Sequence, residues 1–380
     1  MTIVQATITY PPAVGGLDRW VKEISEAFVE RGHHVVVATT DLEQPFSRHR
    51  LKVPPTQLDL AEVHRLPTWR IPRIGFPVAF GMKSLIRNSH PDLIHAHCVA
   101  HSTVLLSWQV ARELRIPLII NAAYSPRSGF LWKRYLQFAG RMMRESACVL
   151  AMSDFEKGLL VDAGLRKEKI EVVSPVVDLA TFRTPKPSPL GKYGLEGKRV
   201  IVSLSRLAYG KRVDRLIQAL PGLLKKHPDI CLMIIGPDYG DEARLREITQ
   251  SLNLDKFVVF TGFLEKEESA AALQSATAFV MTTDFELFGI TLIESMASGA
   301  PIVAANITSV PHVVRDRVTG LLFDHQSSED LEAKLDLLLS DEGLRQRLIA
   351  AGRRESETRF CFQTNMDRLE EIYARARKCR

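Results

Sequence analysis

The sequence predicts an α/β protein made of two domains of similar size, each built around a parallel sheet. Three observations carry this expectation. The chain has 380 residues, which is long for one core and comfortable for two domains of roughly 150–200 residues each. Short apolar, β-branched runs alternate with segments of helical spacing, the rhythm of βαβ units. That rhythm breaks once, over 183–198 (RTPKPSPLGKYGLEGK), where three prolines and three glycines stand without apolar periodicity. The stretch reads as a linker, with a first domain at 1–182 and a second at 199–363.

The elements follow in order. TIVQATI is an apolar run of strand length. LDRWVKEISEAFVERGH has helical spacing, with Trp20, Val21, Ile24, Ala27 and Phe28 on one face and Gly32 as its stop. HVVVATT, PDLIHAH, PLIINAA, ACVLAMS and IEVVSP read as further strands, with helices over STVLLSWQVARELR and DFEKGLLVDAG. After the linker come strands RVIVSLS, ICLMIIG, FVVFTG, AFVMTT and PIVAA, separated by helices over 212–228, 241–254 and 265–276. A helical tail follows over 329–360, and a last helix near 364–378 is placed to pack back on the first domain. A cleft between two such domains is the expected ligand site.

Composition narrows the class. Apolar residues make up 46% and charged residues 25%, the proportions of an ordinary globular protein. No run of about 18 apolar residues occurs, so no transmembrane helix is expected. MTIVQATITYPP reads as a first strand and not as a signal peptide. The five cysteines (Cys98, Cys148, Cys231, Cys361, Cys379) are scattered without a CxxC. Neither a disulfide framework nor a zinc site is expected, and a reducing, cytoplasmic compartment is. The net charge of +6 lies entirely in residues 1–185, which hold 23 basic and 17 acidic residues. That asymmetry suits an anionic membrane face or an anionic substrate, or is ordinary scatter. No nucleic-acid partner is expected.

In open α/β sheets ligands sit where strands run into loops. At the first such junction Gly15 and Gly16 open a helix, either as a phosphate-approach loop or as a plain tight turn. No GxGxxG follows. In SLSRLAYGKRVDRL, Arg206 and Lys211 flank Gly210 at a helix start. Two cations there oppose the helix dipole, which favours a diphosphate clamp over a stabilising role. In FELFGITLIESMASGAPIV, Glu286 lies on a loop and Glu294 on the early turns of a helix that begins near Ile290 and stops at Gly299. A carboxylate accepts hydrogen bonds from two adjacent hydroxyls, so the pair suits a ribose and a hexose. The alternative is a structural glutamate and a solvated one. Backbone N–H groups over Leu287, Phe288, Gly289 and Ile290 would meet phosphate or sugar oxygens. No two aspartates are two apart, so no DxD pair holds a metal, and the two cations are expected in its place.

The pattern E-x-FG-x4-E-x-M-A-x-G-x-P, here Glu286, Phe288, Gly289, Glu294, Met296, Ala297, Gly299 and Pro301, resembles the signature of retaining glycosyltransferase family 4, the E-x7-E motif of the GT-B fold. The resemblance extends through YPPAVGGLDRWVKEISEAFVERGHHV, PDLIHAH, SRLAYGKRVDRLIQA and VTGLLFD, over nearly the whole chain. It implies two facing Rossmann-like domains, the C-terminal one holding a UDP- or GDP-sugar and the N-terminal one a glycan or lipid-linked acceptor. It also implies no metal or other cofactor, transfer of a hexose with retention, and roles for individual residues. Arg206 and Lys211 match the diphosphate pair, Glu286 the acid on the donor sugar, Glu294 the acid on the ribose, and Gly16 the glycine loop over the phosphates. Two positions depart from the pattern. Ala123, beside Asn121 and Tyr124, stands where many members have a histidine on the donor sugar, which leaves His97 or His101 as candidates to reach the site; His97 reads equally as a core histidine. SPVVD, ending at Asp178, replaces the more common P-N-G-V-D. Other GT-B enzymes, a phosphorylase or a sugar-nucleotide epimerase, and a catalytically weak sugar-nucleotide binder are the alternatives.

SGFLWKRYLQFAGRMMRESA reads as an amphipathic helix. Leu131, Trp132, Tyr135, Leu136, Ala139, Met142 and Met143 share one face, and Lys133, Arg134, Arg141 and Arg144 the other. It is either a peripheral contact for an anionic membrane or a core-packed helix with a solvated basic face.

Overall fold

The computed structural model describes residues 1–45, 49–54, 56–58, 60–70, 77–125 and 130–378, with the backbone alone for 57, 58 and 130–136. The chain divides into two compact units, Met1–Pro175 together with Gln363–Arg380, and Val176–Phe362.

The first unit contains strands β1 (Thr2–Ala6), β2 (His34–Thr40), β3 (Thr56–Leu58), β4 (Glu62–Leu66), β5 (Thr68–Arg70), β6 (Pro77–Ala79), β7 (Leu93–His97), β8 (Leu118–Asn121), β9 (Cys148–Ala151) and β10 (Ile170–Val172). Its helices are α1 (Gly16–Glu30), α2 (Met82–Asn88), α3 (Ser102–Leu114), α4 (Phe130–Glu145) and α5 (Asp154–Asp162). The sheet runs β10-β9-β8-β7-β1-β2-β4-β3, parallel except for β3. Its middle strands are buried on both faces, as a sheet covered by helices on each side requires: β7 is buried along its whole length. β5 and β6 form a separate antiparallel ribbon. The region 56–88 carries five elements that hydrophobic periodicity did not announce, four of them strands of three to five residues.

The second unit contains α6 (Leu179–Arg183), β11 (Arg199–Leu204), α7 (Val213–Lys226), β12 (Ile230–Ile235), α8 (Glu242–Ser251), β13 (Val258–Gly262), α9 (Lys266–Gln274), β14 (Ala278–Met281), α10 (Ile290–Ser298), β15 (Ile302–Ala305), α11 (Val310–Val313), β16 (Leu321–Phe323), α12 (Ser328–Ser340) and α13 (Glu342–Thr358). Its sheet is wholly parallel, in the order β13-β12-β11-β14-β15-β16. That order reverses direction between β11 and β14, which makes the carboxyl ends of these two neighbours the switch point of the sheet. Leu216, Ile217, Leu220, Leu232, Val280, Val303, Leu335 and Leu338 form its core between sheet and helices. After α13 the chain returns as α14 (Phe362–Lys378), which packs on the first unit. There Tyr373 is fully buried and stacks on Phe28 at 4.7 Å between ring centroids, while Arg31 pairs with Asp367 and Glu370.

The stretch expected as a linker belongs to the second unit. The boundary falls at Pro175/Val176, and residues beyond it are tied down by α9. Gln274 donates to the carbonyls of Phe182 and Thr184 and accepts from the N–H of Lys186, and Lys192 pairs with Glu268. Phe182 and Leu195 are buried. The prolines and glycines there accommodate an irregular path along a surface; they do not mark a free tether.

Leu131–Leu136, half of the expected amphipathic helix, have side chains outside the described residues, as does Cys379. In the rest of α4, Ala139, Met142 and Met143 face the core and Arg141 and Arg144 face solvent. Arg141 joins Glu145, which also accepts from Trp108 of α3. This part of the helix is core-packed with a solvated basic face. Among the described residues no helix is long and apolar enough to cross a membrane.

Candidate functional site

The switch point of the second unit gathers the strongest candidates. The loop after β11 carries Arg206 and Lys211; the loop after β14 carries Glu286, Leu287, Phe288 and Gly289 and leads into α10 at Ile290. Because β11 and β14 are neighbours, residues 75 apart in sequence meet: Lys211 Nζ lies 2.7 Å from Glu286 Oε2. Both side chains are about one-fifth exposed, so the pair is reachable yet largely shielded from bulk water.

Backbone contacts sew the two loops together. The N–H of Asp284 donates to the Gly210 carbonyl at 2.9 Å, and the hydroxyl of Thr282 donates to the Lys211 carbonyl at 3.0 Å. Arg212 and Arg215 both bind the Asp284 carboxylate, at 3.2 and 2.9 Å. The Glu286 backbone is fixed by the loop after β15: its N–H donates to the Thr308 hydroxyl at 3.0 Å, and its carbonyl accepts from the hydroxyls of Thr308 and Ser309. Phe288 is buried edge-on against Phe360 at 5.7 Å. Gly289 has φ +86°, a conformation that L side chains rarely adopt, and hands the chain into α10. The N–H of Leu292 donates to the Gly289 carbonyl at 2.9 Å, and the dipole of α10 adds positive potential at the end of the loop that carries Glu286.

Glu294 sits on α10, only 3% exposed. Gly299, with φ +82°, ends the helix as the sequence predicted. Arg206 is exposed, with its guanidinium 5.0 Å from the centre of the Tyr239 ring on the loop after β12. Gly236 makes that neighbouring loop possible. A Cβ at this position, with φ +145°, would lie 1.8 Å from the Ser205 carbonyl oxygen. Asp284, Arg212, Arg215, Thr308, Ser309 and Gly236 were not singled out from the sequence. Their signal is spatial: each is placed by strand adjacency and not by spacing along the chain.

The remaining candidates lie on the first unit. Gly15 caps α1 and Gly16 starts it; a Cβ on Gly15 would come within 2.5 Å of Asp18, whose carboxylate accepts from Thr9 at 2.7 Å. His97 and Asn121 are register partners at the ends of β7 and β8, and both are fully buried. His97 Nε2 lies 2.8 Å from Gln5 Oε1, and Trp20 meets its ring edge-on at 5.8 Å. Burial lowers its pKa to about 3, so it is neutral. The structure therefore gives His97 the core role, and Asn121 is equally enclosed; neither side chain is open to a ligand. His101 caps α3 and is 7% exposed, its pKa lowered to about 4 by burial. Ala123 adopts φ +43°, and the N–H of the next residue, Tyr124, donates to Glu156 Oε1 at 2.7 Å. Glu156 also accepts from Met152 at 2.8 Å and is fully buried. Burial raises its pKa to about 7 against the pull of these two donors. Among the described residues no three His, Cys, Asp or Glu side chains converge as a metal site would require.

Two family models match the chain in succession: "Glycosyltransferase Family 4" over residues 14–181 and "Glycosyl transferases group 1" over residues 190–355. The chain is 27% identical over 354 residues to the alpha-monoglucosyldiacylglycerol synthase of Streptococcus pneumoniae, covering 85% of this chain and 75% of that one. It is 28% identical over 397 residues to a GDP-mannose-dependent alpha-(1-6)-phosphatidylinositol monomannoside mannosyltransferase of Mycolicibacterium smegmatis, covering 98% of each. Its fold is similar to that of Anabaena HepE, solved in complex with UDP and glucose, with TM-score 0.82, 20% identity and 98% and 99% of the two chains covered.

Proposed function

The chain belongs to glycosyltransferase family 4, with the GT-B fold, and from that premise we propose that it transfers a hexose from a UDP- or GDP-sugar to a lipid-linked or glycan acceptor with retention. The observation that carries this reading is the Lys211–Glu286 pair at the switch point. A cation and a carboxylate meet there, four residues before the start of α10, which suits a diphosphate attached to a polyhydroxylated ring. Lys211, with Arg206 on the same loop, would hold the diphosphate and stabilise the charge that grows on it as the C1–O bond breaks. Glu286 would accept from sugar hydroxyls, and Glu294 from the ribose. In front-side displacement the acceptor oxygen bonds to C1 on the face the diphosphate leaves. The acceptor proton passes to a leaving phosphate oxygen, so no protein base is needed and the chain's work is positioning and electrostatics. The cations take the place a metal would otherwise have.

The lipid substrates in the names of two relatives support a lipid-linked acceptor, and both donor bases stay in play. A thermal-shift screen across UDP- and GDP-sugars tests the donor, because a ligand of the native state alone raises its apparent stability. Turnover with excess chelator, giving a product whose anomeric configuration matches the donor by NMR, is the expected result. An inverted anomer rejects the mechanism. Turnover with inorganic phosphate and no nucleotide identifies a phosphorylase instead.

A further inference from the structure

We propose that the outward face of the β5–β6 ribbon is a docking surface for an anionic lipid membrane. Thr68 pairs with Ala79 and Trp69 with Val78, and the N–H of Phe80 continues the ladder to the Pro67 carbonyl at 2.9 Å. Side chains alternate along strands, and here the alternation is opposite to that of an ordinary solvent-facing ribbon. Thr68, Pro77 and Ala79 point inward and are buried. Pro67, Trp69, Val78 and Phe80 share the outer face, with Trp69 50% and Phe80 59% exposed. A two-stranded ribbon with a wholly apolar outer face needs an occupant.

Charge identifies that occupant. Between residues 45 and 83 the sequence holds seven Lys or Arg, of which Arg65 is buried, against two Asp or Glu, so the segment that bears the ribbon is net positive. Arg50, which also pairs with Asp41, is fixed to it by donation to the Thr68 carbonyl at 2.7 Å, Arg70 lies on β5, and Lys83 lies in the first turn of α2, three residues after Phe80. Exposed aromatic side chains on a net-positive segment are what the headgroup region of an anionic bilayer takes up: rings at the interface, ammonium and guanidinium groups on the phosphates. The ribbon is presented firmly from below, since Thr68 donates to Asp41 at 2.9 Å and Ala79 is part of the core. The lipid-linked acceptor of the preceding section supplies the purpose of such docking, and docking rests on that reading for its purpose alone.

The test uses the full chain and no sugar donor, so failure to dock and failure of the transferase reading are separately visible. Co-sedimentation is measured with vesicles of phosphatidylcholine and of equimolar phosphatidylcholine and phosphatidylglycerol. The wild type is expected to bind the anionic vesicles and to be released by high salt. The variant W69S/F80S is expected to bind roughly tenfold or more weakly, as loss of two inserted rings requires, with its thermal unfolding unchanged. R141E/R144E, on the solvated face of α4, should bind like the wild type. Brominated lipid is expected to quench wild-type fluorescence, and much less in W69F. A wild type that ignores anionic vesicles, a W69S/F80S variant that still binds them fully, or binding abolished by R141E/R144E alone overturns the proposal. Self-association lost in W69S/F80S without vesicle binding assigns the face to a second copy of the chain and also overturns it.

Discussion

The hydroxyl of Tyr373 lies 2.6 Å from Nδ1 of His95, so a helix from beyond the second unit is hydrogen-bonded into the middle of the first unit's sheet. Gln5 Nε2 reaches the same hydroxyl at 3.3 Å, and its Oε1 meets His97. A polar chain thus runs through an otherwise apolar layer. Tyr373→Phe keeps the ring stack on Phe28 but strands the His95 and Gln5 atoms, at a cost of about 1–3 kcal/mol. Tyr373→Ala also loses the ring, about 3–5 kcal/mol. Hydrogen exchange along α14 should quicken in that order, with the second unit's amides unaffected.

Acid should unfold the first unit through the same layer. Burial, with His97 beside it, holds the pKa of His95 well below the ordinary 6.5, and burial holds that of His97 at about 3. Both folded values lie below the unfolded one. The stability they imply is complete above about pH 6.5 and drains away as pH falls toward 3. Denaturant midpoints of the first unit measured down that range should decline, and His97→Asn should shallow the decline.

Glu156 has the opposite sign. Its folded pKa of about 7 stands above the ordinary 4.5, so its contribution is intact below pH 4.5 and is lost as the pH rises to about 7. Glu156→Gln removes the charge but leaves one of the Tyr124 and Met152 N–H groups without its acceptor. The variant should be weaker by about 1–2 kcal/mol on the acid side and show a flatter profile across that interval. Urea titrations of both proteins at stepped pH decide it.

At the switch point, Lys211→Ala is expected to lower kcat/KM by about a hundred- to a thousandfold, the scale of losing one preorganised group on developing charge. Glu286→Ala should abolish measurable transfer. Unchanged unfolding temperatures would place both losses in the chemistry, and full activity in either variant would remove these residues from the proposed roles.

Gly236→Ala tests the loop architecture. With Ser205's carbonyl occupying the Cβ position, backbone must move, at a cost of about 3 kcal/mol. Nucleotide-sugar binding should weaken with it, because the displaced Ser205 leads directly to Arg206. A crystal structure of the variant with an unshifted loop would contradict this.

Much of the fold was legible because its elements are long and periodic. β2, β7, β11 and β12 are β-branched or aliphatic runs, and Gly289 and Gly299 punctuate α10 at both ends by their backbone conformation. The ribbon and its neighbours were not legible: three-residue strands are too short to show a period. The contact boundary at Pro175/Val176 was not legible, because proline and glycine report an irregular path, and what ties 183–198 to the second unit is Gln274, far along the chain. At the site, the individual side chains of Glu286 and Lys211 stood out by type and context. Their meeting, and the anchoring of Glu286 by Thr308 and Ser309, depended on which strands are neighbours. The enclosure of His97 was likewise a matter of Trp20 and Gln5, which no local pattern pairs with it.

The chain leaves the first unit at Pro175 and re-enters it at Gln363. A ribosome therefore delivers every residue of the second unit before the segment that seals Phe28, Gln5 and His95. At a synthesis rate of about 5–20 residues per second, that surface stays open for on the order of ten to forty seconds. The unit encoded second is thus the first able to finish folding, and the nascent first unit is the natural client for a chaperone until Tyr373 arrives.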